Sequence, residues 1–226
     1  MYKQITIDGP ASSGKSTVAK KLSKLINFYY VNSGFLYRLL TYFLKNNNVD
    51  FCNLNEDIFL IEVDGLIDKI KIDHDEITLD HKNYENELYN EDIAYLTSKI
   101  SQYYFVREFI NDILLNLAKE NNIIVDGRDM GSVVFKDADL KFYLDASSKT
   151  RAHRRYLQLK QTNANITEES ILNDINKRDE LDKNRKLSPL VIPKNAIIIN
   201  TDNSSIDEVV NMMFSEFKKR IKNIEE

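Results

Sequence analysis

The sequence of 226 residues holds one cysteine, no tryptophan and three prolines. A lone thiol, Cys52, forms no disulfide within the chain, so a disulfide-stapled scaffold is excluded and a reducing compartment is expected. No apolar run approaches the roughly 18 residues of a membrane-spanning helix, which excludes a membrane bundle. Met1-Tyr2-Lys3-Gln4 leads straight into a strand-like run, without the pattern of a signal peptide, so a cytoplasmic location is expected. Glycine numbers only 6, where average usage of ~7% would give about 16. Arginine is scarce too, 9 residues against 22 lysines. Where a scarce residue persists in such a chain, a physical requirement is the first explanation to test.

What is present is an ordinary core-forming composition, 42% hydrophobic and 29% charged, which excludes a disordered tail or a collagen-like rod. A net charge of −4 argues against general nucleic-acid binding. Its distribution is uneven. From Asp50 to Asp92, 14 acidic residues stand against 3 lysines, a net of −11, which leaves +7 on the rest. The acidic stretch reads as a unit inserted into a mildly basic body, and a basic body suits a small anionic ligand. Both surfaces being simply solvated is the plainer alternative.

Short apolar runs alternate with helical patterns. Lys3–Asp8, Phe28–Val31, Ile123–Val125, Leu140–Leu144 and Ala196–Ile199 read as strands. Ser16–Ile26, with Val18, Leu22, Leu25 and Ile26 at helical spacing, reads as a helix. So do Gly34–Leu44, with Leu36, Leu39, Leu40 and Phe43 inward, and most of Ile93–Asn121. Lys149–Gln161, Thr167–Arg185 and Ile206–Ile224 follow; in the last, Val209, Val210, Met213, Phe214 and Phe217 share a face. Asp64-Gly65 reads as a turn, and Ile70–Leu79 alternates as a small antiparallel sheet would. The pattern is α/β: a parallel sheet with helices on both faces, in one domain spanning 1–226.

The strongest motif is Gly9-Pro10-Ala11-Ser12-Ser13-Gly14-Lys15-Ser16, which fits the phosphate-loop pattern at every fixed position, between a strand and a helix. Its glycines let successive backbone N–H groups point at one phosphate, and the helix N-terminus adds partial positive charge. Lys15 supplies a point charge for the β- and γ-phosphates, and Ser16 a hydroxyl for Mg²⁺. A glycine turn before a helix that starts with Lys-Ser is the bland alternative. The loop does not name the reaction, because ATPases, switches and small-molecule kinases share it.

The remaining scarce residues suggest a second anion. Gly9, Gly14, Gly34, Gly127 and Gly131 fall at strand-to-helix turns, where open α/β sheets bind ligands. Eight of nine arginines fall in short groups: Arg38, Arg107, Arg128, and the set Arg151, Arg154, Arg155, Arg178 and Arg185. Their planar fork suits bidentate phosphate binding. Arg178, Asp182 and Arg185 fall on one face of a helix, where a solvated, salt-bridged surface is the alternative. For Asp126, directly after a strand, two roles stand open: orienting a magnesium-bound water, or capping the next turn. His74, His81 and His153 lack metal spacing and read as surface, Cys52 as structural, and Tyr29, Tyr30, Tyr103 and Tyr104 as core and rim.

The segments IDGPASSGKST, NSGFLYR, DGRDMGSVVFKDADLKFYLDAS, RAHRRYLQL and RDELDKNRKLSPL together resemble the bacterial cytidylate kinases, a family of nucleoside monophosphate kinases, over Ile5 to about Val210. The resemblance implies a P-loop kinase fold with a five-stranded parallel core at 1–45, 93–147 and 168–226. It adds a monophosphate-binding insertion at 46–92 and a mobile lid at 148–167. It implies phosphoryl transfer from ATP with Mg²⁺ to CMP or dCMP by a monomer, with no nucleic-acid or membrane partner. ATP would contact Gly9 through Thr17, including Pro10, Ala11, Ser12, Ser13, Gly14, Lys15 and Ser16, together with Arg151 and Arg154. By matching position, Ser33, Ser98, Arg107 and Asp129 would surround the cytosine. Arg38, Arg128 and Arg185 would hold the acceptor phosphate, and Arg178 and Asp182 would reach the sugar. Lys15, Arg38, Arg128, Arg155 and Arg185 would stabilise transfer, and Ser16 would ligate the metal. Asn32, Phe35, Leu36 and Tyr89 depart from the family pattern around the acceptor. A kinase for UMP, AMP or shikimate, and a nucleotide-binding switch without acceptor chemistry, are the competing expectations.

Overall fold

The computed structural model describes residues 2–160 and 166–221. The parts of the expected lid at 161–165 and of the expected closing helix at 222–224 lie outside the described residues.

Five parallel strands form the main sheet: β1 (Gln4–Asp8), β2 (Tyr29–Asn32), β5 (Ile123–Gly127), β6 (Leu140–Asp145) and β7 (Ile197–Asn200). Their order is β2-β5-β1-β6-β7. In register, Ile5 lies beside Leu140 and Ile7 beside Phe142, while Phe142 lies beside Ile197. These strands are continuous apolar runs because a parallel sheet is buried on both faces. A separate antiparallel hairpin joins β3 (Ile70–Asp73) to β4 (Glu76–Leu79), with Ile72 beside Ile77.

The helices are α1 (Lys15–Ile26), α2 (Ser33–Asn46), α3 (Glu56–Glu62), α4 (Leu66–Lys69), α5 (Glu85–Leu88), α6 (Glu91–Ile100), α7 (Tyr104–Glu120), α8 (Ser148–Leu159), α9 (Glu168–Asn184) and α10 (Ile206–Arg220). Caps explain where several begin. Asn32 accepts the N–H of Phe35, Asn55 that of Ile58, Asn90 that of Ile93 and Thr167 that of Ser170, each satisfying an otherwise orphaned donor. Ser205 and Glu208 form a reciprocal capping box at α10. Asn32 therefore has a local structural role as the cap of α2.

The chain divides into two compact units, 1–2 with 28–123, and 3–27 with 124–226. The acidic stretch 46–92 lies wholly within the first. That unit's core gathers Leu36, Leu39, Leu40 and Leu44 of α2, and Phe59 of α3, which packs on Phe105 at 5.1 Å and edge-on to Phe109 at 5.7 Å. In the second unit, Ile5, Ile7, Val18, Leu22, Phe142, Leu144, Val209 and Met213 are buried, and α1 packs on α10. A satellite cluster of Ala152, Ile171 and Ile175 joins α8 to α9.

Some expectations are corrected. Leu25 is exposed, and Phe43 and Phe214 are only half-buried, with Leu44 taking the inward place in α2. Cys52 is exposed, not a buried structural residue. The acidic stretch holds α3, α4 and α5 besides the expected hairpin. Met130–Val134 forms a single π-helical turn where only a glycine loop was expected. Tyr104 is half exposed, at the rim as expected.

Candidate active site

The phosphate loop follows from the end of β1. Gly9 takes φ +147, and a Cβ there would lie 2.1 Å from the Leu144 carbonyl oxygen, so only glycine fits against β6. Gly14, at φ +90, opens α1. Lys15, in that first turn, is buried and donates from Nζ to the Pro10 carbonyl at 2.7 Å and to Ser13 Oγ at 3.4 Å. Burial holds the Lys15 ammonium well below its ordinary pKa, and Arg128 adds to this, while Asp126 and Asp8 oppose it. Ser16 Oγ donates to Asp126 Oδ2 at 2.9 Å. Two hard oxygens placed together beside a phosphate loop fit Mg²⁺, which keeps most of its water and takes one or two protein oxygens. Among the described residues there is no group of three or more His, Cys, Asp or Glu that would make a larger metal cage.

Behind the loop lies a framework the sequence did not reveal. Arg151 is buried and forks onto Asp179, Nη1 to Oδ1 at 3.1 Å and Nη2 to Oδ2 at 2.5 Å. Its Nε donates to the Ala146 carbonyl at 2.9 Å and its Nη1 to that of Ala11 at 3.2 Å. Arg151, which the resemblance assigns to the lid and to ATP, is buried here with its guanidinium engaged by Asp179 and the Ala146 and Ala11 carbonyls. Arg154 donates to Thr201 Oγ1 at 3.0 Å and to the Thr201 carbonyl, and the single Thr201 hydroxyl hydrogen is shared between the Asp145 carbonyl at 3.2 Å and the Ser13 carbonyl at 3.3 Å. Arg155 is half-buried and reaches Gln158 at 3.4 Å.

In the same unit the loop after β5 carries Arg128 and Asp129. Arg128 Nε donates to Asp182 Oδ2 at 2.8 Å. Arg185 Nη2 donates to Asp129 Oδ1 at 3.3 Å, and its Nη1 lies 3.9 Å from Asp182 Oδ1. Burial pushes the Asp182 carboxyl up, but Arg128, Arg178 and Arg185 outweigh it and hold the group below its usual range. Arg128, Asp129, Asp182 and Arg185 are thus one network, and Arg178 acts on it through charge from an exposed position on α9. Asp8, the last residue of β1, is fully buried and accepts the N–H groups of Met130 at 2.9 Å and Gly131 at 2.7 Å. Burial raises its carboxyl to about 6.

The first unit holds the other expected acceptor residues. Arg38 Nη1 donates to the Leu88 carbonyl at 2.9 Å, and its guanidinium lies 5.1 Å from the centre of the Tyr89 ring. Arg107 is buried, 5.7 Å from the Tyr37 ring centre, and donates to the Ser101 carbonyl at 3.3 Å. Ser33 is buried in the first turn of α2, and Ser98 is exposed on α6.

A buried lysine in a phosphate loop, with a serine hydroxyl on an acidic strand end, defines the P-loop nucleotide-binding proteins as the class to which fold and site point. The family is narrower than the class. The cytidylate kinase family model matches residues 5–219, and the chain belongs to that family. A cytidylate kinase of Caldanaerobacter subterraneus is 40% identical over 97% of this chain and 96% of its own length. One from Ureaplasma urealyticum is 38% identical over 98% of both chains, and one from Clostridium botulinum 37% identical over 95% and 97%. Among solved structures, one from Thermus thermophilus matches with a TM-score of 0.50 and 13% identity over 98% of this chain and 99% of its own. That last likeness speaks to the fold alone. No described helix is long and apolar enough to cross a membrane.

Proposed function

We propose that the protein transfers the γ-phosphoryl group of ATP to CMP or dCMP, giving CDP or dCDP and ADP. The observation that carries this is the network of Arg128, Asp129, Asp182 and Arg185, built in the same unit as a complete phosphate loop. A hydrolytic switch needs no second cluster of forked cations. Membership of the cytidylate kinase family supports the choice of acceptor.

Phosphoryl transfer is chiefly positioning and charge stabilisation. Lys15 and the loop N–H groups hold the donor's β- and γ-phosphates. Ser16 and Asp126, joined by a hydrogen bond, would hold Mg²⁺, which would supply charge neutralisation to those phosphates. The acceptor phosphate is already an anionic nucleophile, so no general base is required. Arg128 and Arg185 offset repulsion between the two anions and align the reacting oxygens, and the resemblance assigns Arg38 to the acceptor phosphate as well. Arg155 stabilises the group in transit. Ser33, Ser98, Arg107 and Asp129 read the cytosine: N4 donates to a carboxylate and N3 accepts from a guanidinium, a pattern uracil reverses. Arg178 and Asp182 take the sugar.

The test is ADP release with ATP–Mg²⁺ and CMP, dCMP, UMP, AMP, GMP, shikimate or no acceptor. Strong release with CMP or dCMP and little without acceptor is expected. A different preferred acceptor would overturn the cytosine assignment, and ATP binding without transfer would favour a switch.

A further inference from the structure

Asp8 belongs to the strand that feeds the phosphate loop, yet both its oxygens are spent on another loop. Oδ1 accepts the Met130 N–H at 2.9 Å and Oδ2 the Gly131 N–H at 2.7 Å, across more than 120 positions of sequence. These donors lie at the start of the π-helical turn that directly follows Arg128 and Asp129. The closeness is enforced from the other side. A Cβ on Gly131 would lie 2.6 Å from Thr6 Oγ1 and 3.2 Å from Asp8 Oδ2. A one-turn helix has no ladder to hold its first N–H groups, so an external acceptor decides where the turn begins. A buried carboxylate is costly to keep. Burial raises this one to about 6; the Gly131 and Met130 N–H groups counter that, Asp129 adds to it and Lys15 opposes it.

We propose that Asp8 is a positioning residue for acceptor binding: by clamping the Met130 and Gly131 N–H groups it sets the place from which Arg128 and Asp129 reach Asp182 and Arg185. This rests on the acceptor role given above to Arg128 and Asp129. Asp8 itself touches neither nucleotide, so the KM for the acceptor depends on it more than the KM for ATP does.

The experiment compares wild type with Asp8→Asn, whose amide accepts one N–H and turns a donor toward the other. A second variant, Gly131→Ala, pushes the same turn away while keeping the carboxylate. The expected result in both is a rise of at least tenfold in KM for CMP, with KM for ATP within twofold of wild type. Amide exchange at Met130 and Gly131 should quicken selectively in Asp8→Asn. A merely structural role would lower kcat through loss of active enzyme and leave the two KM values alone. Unchanged CMP KM in the folded variants, or parallel change in both KM values, overturns the proposal. If Asp8→Asn does not fold, Gly131→Ala decides. If wild type transfers nothing to CMP, the acceptor reading has failed separately. Amide exchange then judges the clamp alone, and unaltered protection at Met130 and Gly131 rejects it.

Discussion

Arg151 and Asp179, 28 positions apart, bind each other through both terminal guanidinium nitrogens and both carboxylate oxygens, with side chains 4% and 12% exposed. The same guanidinium reaches the Ala11 carbonyl, so α8, α9 and the phosphate loop share one brace. Removing one member of a buried pair strands the other. Asp179→Ala should therefore cost about 3–5 kcal/mol in a urea titration. It should also raise KM for ATP, because Ala11 loses its tether. A loss well under 1 kcal/mol would show that the pair braces nothing.

Lys15 presents the opposite balance. Its ammonium is buried against its own tendency, with its pKa held down chiefly by desolvation. The charged form is therefore favoured in the unfolded chain, and at neutral pH that difference works against folding. Lys15→Met should leave the thermal midpoint unchanged or raise it, while turnover falls on the order of 10²–10³-fold. Thermal melts and ADP release on the same preparation check both halves; near-normal turnover would remove Lys15 from the reaction.

Asp8 gives stability a pH dependence of defined sign. Its folded pKa of about 6 lies above the ordinary 3.8, so the folded state holds the proton more tightly than the unfolded chain. The penalty for ionising it is absent below the lower value, grows as pH rises between the two, and is constant above about 6. Between pH 5 and 7.5 wild type should lose roughly 1 kcal/mol relative to Asp8→Asn. Paired thermal melts across that range measure the difference, in which other titrating groups cancel. A difference independent of pH would contradict the burial effect.

The half-exposed ring of Tyr89 lies against the Arg38 guanidinium. A cation over a ring face is stabilised by about 0.5–1 kcal/mol at an exposed site. Tyr89→Ala should raise KM for CMP about two- to fivefold, and Tyr89→Phe should restore it, since the ring and not the hydroxyl is used. Failure of phenylalanine to restore it would point to the hydroxyl instead.

The sequence showed those features whose cause is local. Five strands were legible as apolar runs, α9 from Thr167 and the acids that follow it, and the phosphate loop from eight adjacent residues. Helices of four to seven residues in the acidic stretch carried too few turns to show a period. The brace of Arg151 by Asp179, the clamp of Asp8 on Gly131 and the link of Thr201 to Ser13 join residues 28, 123 and 188 positions apart. No window of sequence contains both partners of the last two. Asp179 stood inside a motif already noted for Arg178 and Asp182, but on a different face of α9. Leu25 obeyed the helical period and is nevertheless exposed, because spacing selects a face without saying where its covering ends.

The phosphate loop precedes Asp126, Asp179 and Thr201 in the chain, so it leaves the ribosome before any of the three. At about 5–20 residues per second, the delay between Ser13 and Thr201 is roughly 10–40 s. During that interval the nascent chain carries a whole nucleotide-binding motif whose partners arrive one after another. A chain interrupted before β7 therefore carries the motif without its Thr201 contact.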